Sequence, residues 1–149
     1  MTSKLRTLAA LVASALSLGA ALPSRSLAAE GYTVIVHSSN RATSLSREEA
    51  AQYFLKKATS WPSGGEVAAV DLQKHSAARE EFSRVVLHKS MAEVNAYWRQ
   101  QVFSGRAVPP PEKQSDADVV AFVESNEGAI GYVSAGADLG GAKALRLVD

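Results

Sequence analysis

The sequence predicts an α/β fold, a three-layer sandwich in which helices cover both faces of a mostly parallel sheet. Three observations predict it. Short β-branched apolar runs alternate with segments whose apolar residues recur at helical spacing. Serines stand where they can cap the helical segments. The chain of 149 residues is 46% hydrophobic and 21% charged, a balance that builds one core and excludes general disorder.

The chain opens on Lys4 and Arg6, followed by an uncharged Leu-, Ala- and Val-rich run from Leu8 to Leu22. Pro23 breaks the run, and Ser26-Leu27-Ala28 presents the small residues that a signal peptidase reads. A membrane anchor needs roughly 20 apolar residues, more than this run holds. We therefore expect residues 1–28 to be an export signal cleaved after Ala28 or Ala29, and residues 29–149 to form a single lobe. The localisation that follows is the bacterial periplasm or the cell exterior. Cleavage removes Lys4, Arg6 and Arg25 and no acid, which turns a formal charge of +1 into −2. That charge argues against nucleic acid as a partner.

Tyr32–Val36 reads as a buried strand, ended by Ser38-Ser39-Asn40. Ser46 and Glu49 are spaced as a capping box, ahead of a helix whose apolar face holds Ala50, Ala51, Phe54 and Leu55. Pro62-Ser63-Gly64-Gly65 is a turn. Val67–Val70 reads as a second strand. Ser76 can cap a helix with the stripe Ala78, Phe82, Val85 and Val86. Ser90 and Glu93 form a second capping box, before Met91, Val94, Trp98 and Val102. Pro109-Pro110-Pro111 is a stiff extended connector. Ser115 and Asp118 open a last helix through Val119, Val120 and Val123, with Gly128 suited to its C-terminal cap. Residues 129–133 and 144–148 close the chain as strands. The expected core holds Val34, Ile35, Val36, Phe54, Val70, Phe82, Val86, Phe122 and Ile130.

In parallel sheets ligands sit beyond the carboxyl ends of the strands, where helix N-termini converge. The segment Asp71–Arg79 follows a strand and opens a helix. Its free amides attract anions, Ser76 adds a hydroxyl, and Arg79 can grip an oxyanion with two prongs. A plain N-cap among solvated charges explains the same residues, and both readings stay open. Ser38, Ser39 and Asn40, expected on the same rim, are ligand donors or simply a turn. Three histidines, His37, His75 and His88, lack the spacing of a metal site. The absence of cysteine excludes thiolate metal sites, disulfides and cysteine nucleophiles. Residues 136–143 lack the Gly-Lys-Ser/Thr of a phosphate loop, and no Gly-x-Ser-x-Gly elbow occurs. We expect no enzyme activity, no metal and no cofactor.

Ser44-Leu45-Ser46 through Phe54-Leu55 to Trp61-Pro62-Ser63-Gly64, together with Glu127-Gly128-Ala129-Ile130-Gly131-Tyr132-Val133, resembles the phosphate-type periplasmic substrate-binding proteins of ABC importers. Asp71–Phe82 lies where that family has its Arg-Ser-Asp-Gly-Ser-Gly-Thr loop. Aligned on Phe82, Ser76 keeps the loop's serine, whereas Leu72 replaces its arginine and Lys74 its aspartate. His75, Ala77 and Ala78 replace Gly, Gly and Thr, leaving Arg79 as a displaced guanidinium. The resemblance implies one lobe of a type 2 periplasmic-binding fold that binds phosphate or another small oxyanion through Ser76 and Arg79; with the rim residues Ser38, Ser39 and Asn40 added, weak binding by these five is expected. It implies a membrane transporter or envelope protein as partner, with a homodimer as a further arrangement. The competing reading is a single-lobe interaction module whose anion site has decayed.

Overall fold

A computed structural model describes residues 30–149. The expected export signal, residues 1–28, lies outside the described residues. Strand β1 spans Tyr32–Val36, as its β-branched run predicts. β2 spans Ser44–Ser46 and leads directly into helix α1, Arg47–Phe54. The Ser46–Glu49 capping box forms in full. β3 (Ala68–Ala69) and β4 (Asp71–Leu72) follow, then α2 (Ala77–Val85) with Ser76 as its N-cap. α3 (Met91–Phe103) carries the second capping box, Ser90 with Glu93. β5 (Glu112–Lys113) leaves the proline connector, and α4 (Asp116–Glu124) starts at Ser115. β6 (Ala129–Ser134), β7 (Lys143–Ala144) and β8 (Arg146–Val148) complete the chain.

The main sheet has the order β3-β6-β1-β7. β3 runs parallel to β6, whereas β1 is antiparallel to both β6 and β7. Two further parallel ladders, β2–β8 and β4–β5, stand beside it. The α/β class therefore holds, with parallel ladders around a central strand that points the other way. The sequence shows the alternation of strands and helices but not which strands become neighbours. β1 pairs with late strands, so the rule that parallel strands share a carboxyl edge does not extend to it.

Alternation along β6 separates the layers. A Cβ on Gly131 would lie 2.7 Å from Val70 and 2.9 Å from Val119 of α4, so this position faces α4 and must stay small. The next residue, Tyr132, faces the opposite layer. Its ring stacks on Phe82 of α2 with centroids 4.0 Å apart, and it lies 5.6 Å from Phe54 of α1. Tyr32 meets Phe82 edge-on at 5.4 Å from the other side. Phe82 is completely buried, as are Ile35, Val36, Val70, Val86 and Ile130.

Several expectations change. The strand read over Val67–Val70 ends at Ala69, and the chain forms a separate strand at Asp71–Leu72. The closing strand read over 144–148 splits into β7 and β8. Helix α4 is capped by Ser125, not by Gly128. Gly128 is needed elsewhere: a Cβ there would sit 2.0 Å from the Glu66 carbonyl oxygen, and its own carbonyl accepts from Trp61 Nε1 at 3.0 Å. Phe122 is half-buried rather than core, with the Lys113 ammonium over its ring at 5.4 Å.

Candidate functional site

The antiparallel course of β1 decides which expected residues can meet. Val36 pairs with Ile130 near the start of β6, and Tyr32 pairs with Ser134 at its end. Ser38, Ser39 and Asn40 therefore emerge beside the start of β6. Helix α2 begins after β4, toward the other end, where Gly31 N–H donates to Glu81 of α2 at 2.9 Å. The four steps of β1 between Tyr32 and Val36 cover about 13 Å, more than one small oxyanion can bridge. The structure does not bring Ser38, Ser39 and Asn40 together with Ser76 and Arg79, because the expectation of a shared rim required β1 to run parallel to its neighbours.

At the first end, the loop satisfies itself. Asn40 N–H donates to the His37 carbonyl at 3.0 Å, and Asn40 Oδ1 accepts from Ala42 N–H at 2.9 Å. The Ser39 hydroxyl lies 2.7 Å from His37 Nδ1. Lys143 Nζ donates to the carbonyls of Asn40 and Ala42. Ser39 and Asn40 line a shallow hollow of about 510 Å³ with Trp61, Glu66 and Glu127. Its two carboxylates, against Arg41 alone, oppose an anion.

At the second end, Ser76 caps α2 by accepting from Arg79 N–H at 3.0 Å. Arg79 is buried, and its guanidinium is engaged on three sides. It donates to the Leu72 carbonyl at 2.5 Å, and pairs with Asp71 and Glu112 at 3.3 Å each. Tyr132 Oη donates to the other Asp71 oxygen at 2.9 Å. Burial pushes the Asp71 carboxyl up to about 6, although Arg79 and the Tyr132 hydrogen bond pull it down; Glu112 adds to the rise. Burial, and then the Asp71 charge, hold the Tyr132 hydroxyl well above its usual range.

This cluster floors a groove of about 830 Å³ between α2, α3 and the proline connector. Lys74 and Arg99 line it with Trp98, Phe103 and Pro110. Sequence reasoning placed Arg79 on the rim as a free guanidinium; its partners Asp71, Glu112 and Tyr132 were missed. One signal was present: Asp71 stands between two apolar residues, Val70 and Leu72, and a carboxylate among buried neighbours needs a cation.

The fold is shared with solved chains whose names refer to phosphate transport. A Clostridium perfringens chain named as a phosphate ABC-transporter substrate-binding protein, holding bound phosphate, matches with a TM-score of 0.61 and 21% identity. The match covers 78% of this chain and 44% of that one. An ABC-type phosphate transport receptor from Vibrio cholerae matches at 0.62 and 20% identity, over 78% of this chain and 46% of its own. PstS from Borrelia burgdorferi matches at 0.61 and 14% identity, over 78% and 47%. At these identities the likeness establishes the fold, and the chain spans less than half the length of these neighbours. No protein-family model and no curated protein matches the chain. Among the described residues no helix is long and apolar enough to cross a membrane.

Proposed function

We propose that the chain is an exported single-lobe binding module that takes a small oxyanion of the phosphate class at the N-terminus of α2. One observation carries this reading: a Ser76-capped helix start opens beside a groove lined by Lys74 and Arg99, neither of which has a carboxylate partner among the described residues. The Ala77 and Ala78 amides in the first turn are donors to an anion, joined by the Ser76 hydroxyl and the Lys74 ammonium. The phosphate held by one structural neighbour supports the choice of anion. Arg79 then supports the helix start from behind, and Ser38, Ser39 and Asn40 take no part. In this reading the lobe serves a membrane transporter or another envelope protein.

The contacts work at an open rim, in high effective dielectric. Affinity belongs on the millimolar scale, about −4 kcal/mol. Phosphate titration by calorimetry, with sulfate as control, tests it. Lys74→Gln should weaken binding severalfold, and so should Ser76→Gly, which keeps helix initiation at a cost of only a few tenths of a kcal/mol. Unchanged binding by both variants refutes the site.

A second reading, an interaction module without an anion site, is favoured by the engagement of Arg79 with Asp71, Glu112 and the Leu72 carbonyl. It takes the lead when the exported protein binds neither anion.

A further inference from the structure

Three large apolar side chains are left exposed among the described residues: Val102 at 53%, Phe103 at 91% and Val108 at 61%. They sit together, where α3 ends and the proline connector begins. Val102 and Val108 line one shallow depression with Gly105 and Arg106. The turn is well held. Gly105, with φ +68°, donates its N–H to the Val102 carbonyl at 3.1 Å, and Arg106 N–H donates to Gln101 at 3.0 Å. The Ser104 hydroxyl donates to the Gln100 carbonyl at 2.8 Å. This is a built apolar projection, not a frayed helix end.

Along the chain its charge has one sign, and the two carboxylates of the adjoining groove, Asp71 and Glu112, are both paired with Arg79. From Val94 to Pro111 the chain has no acidic residue, while Arg99 and Arg106 flank the projection and pair with no carboxylate among the described residues. Phe103 projects outward, so a surface that yields to it fits better than a rigid pocket. Three side chains fall well short of the roughly 800 Å² per partner of a stable protein interface. An apolar tip inside a basic collar fits the boundary between headgroups and acyl chains of an anionic bilayer. We propose that the end of α3 is a membrane-surface anchor, inserting Val102, Phe103 and Val108 while Arg99 and Arg106 meet anionic headgroups.

The test is flotation of the protein, as it accumulates in cells, with vesicles of phosphatidylcholine alone or mixed with phosphatidylglycerol. Every variant carries the same N-terminus, so ratios between them report the tip. Flotation with the anionic vesicles, weakened by salt, is expected. Phe103→Ser should lower partitioning about tenfold or more, and Arg106→Gln about fivefold. Both side chains contribute little to the core, so melting temperatures should match the wild type and exclude misfolding. Equal flotation with both vesicle types, or variants that float like the wild type, overturns the proposal. So does a dimer in light scattering that Phe103→Ser dissociates, which assigns the tip to a second copy. Arg106 lies outside the oxyanion groove, so its effect on flotation is read separately from oxyanion binding, and Arg99, which lines that groove, is left unchanged.

Discussion

Replacing Arg79 with methionine keeps most of the side-chain volume but leaves the Asp71 carboxylate buried without its cation. Asp71 is 6% exposed and Arg79 4%, so water cannot take over the lost pairing. Breaking a buried ion pair from one side costs about 3–5 kcal/mol, a large share of the 5–15 kcal/mol typical of a domain. The pH dependence gives the cost a signature. The folded Asp71 carboxyl titrates at about 6, above its ordinary 3.8. The folded state therefore holds this proton more tightly than the unfolded state. Its contribution is most favourable below pH 3.8 and is lost as pH rises through about 6, a total of about 3 kcal/mol. Without Arg79 the carboxyl rises further, and the loss extends to higher pH. The gap between wild type and variant in urea denaturation should thus be wider at pH 8 than at pH 5. Adding Asp71→Asn should restore much of the stability by removing the stranded charge. A cost below about 1 kcal/mol at both pH values, with no rescue, refutes the cluster as described.

Carbon-13 NMR of the side-chain carboxyls should show one aspartate with a midpoint near 6 that disappears in Asp71→Asn; no such resonance contradicts the burial argument. Gly128→Ala places a Cβ 2.0 Å from the Glu66 carbonyl oxygen and should cost about 1–3 kcal/mol or more, read as a lowered melting temperature. Phe82→Ala removes the ring that stacks on Tyr132 and meets Tyr32 and Phe54, and should cost about 3–5 kcal/mol in the same assay.

Local chemistry was legible in the sequence and long-range pairing was not. The Ser46–Glu49 and Ser90–Glu93 boxes are readable because donor and acceptor lie three residues apart. Ser76 and Ser115 cap their helices for the same reason. The alternation that places Gly131 and Tyr132 on opposite faces follows from strand geometry alone. Nothing local says that Tyr32–Val36 will lie between two strands near the chain's other end. β2 and β5 are also missed, at three and two residues, because their partners are β8 and β4, distant in sequence. The site suffered from the same gap. Arg79 was recognisable as a cation at a helix start, but Glu112, 33 residues later, is one of the groups that hold it.

The Asp71–Arg79–Glu112 cluster also predicts how an oxyanion should respond to pH. An anion approaching the start of α2 feels Lys74 and Arg99, against the carboxylates of Asp71 and Glu112 that offset Arg79. Protonating Asp71 removes one opposing charge. At roughly 8–10 Å and near-aqueous dielectric, that change is worth about 0.8–1.0 kcal/mol for a dianion, or about four- to sixfold in affinity before salt screening. Phosphate changes its own charge in this range, so sulfate, a dianion throughout, is the proper probe. His75 adjoins Ser76 and is replaced by glutamine in every protein compared, which leaves Asp71 as the variable. Sulfate binding, followed by amide shifts of Ala77 and Ala78, should strengthen between pH 7.5 and pH 5 when Asp71 is present. The Asp71→Asn protein should bind at the tighter level and stay flat across the range. An affinity with Asp71 present that does not change with pH, or a slope that survives Asp71→Asn, places the anion away from this cluster.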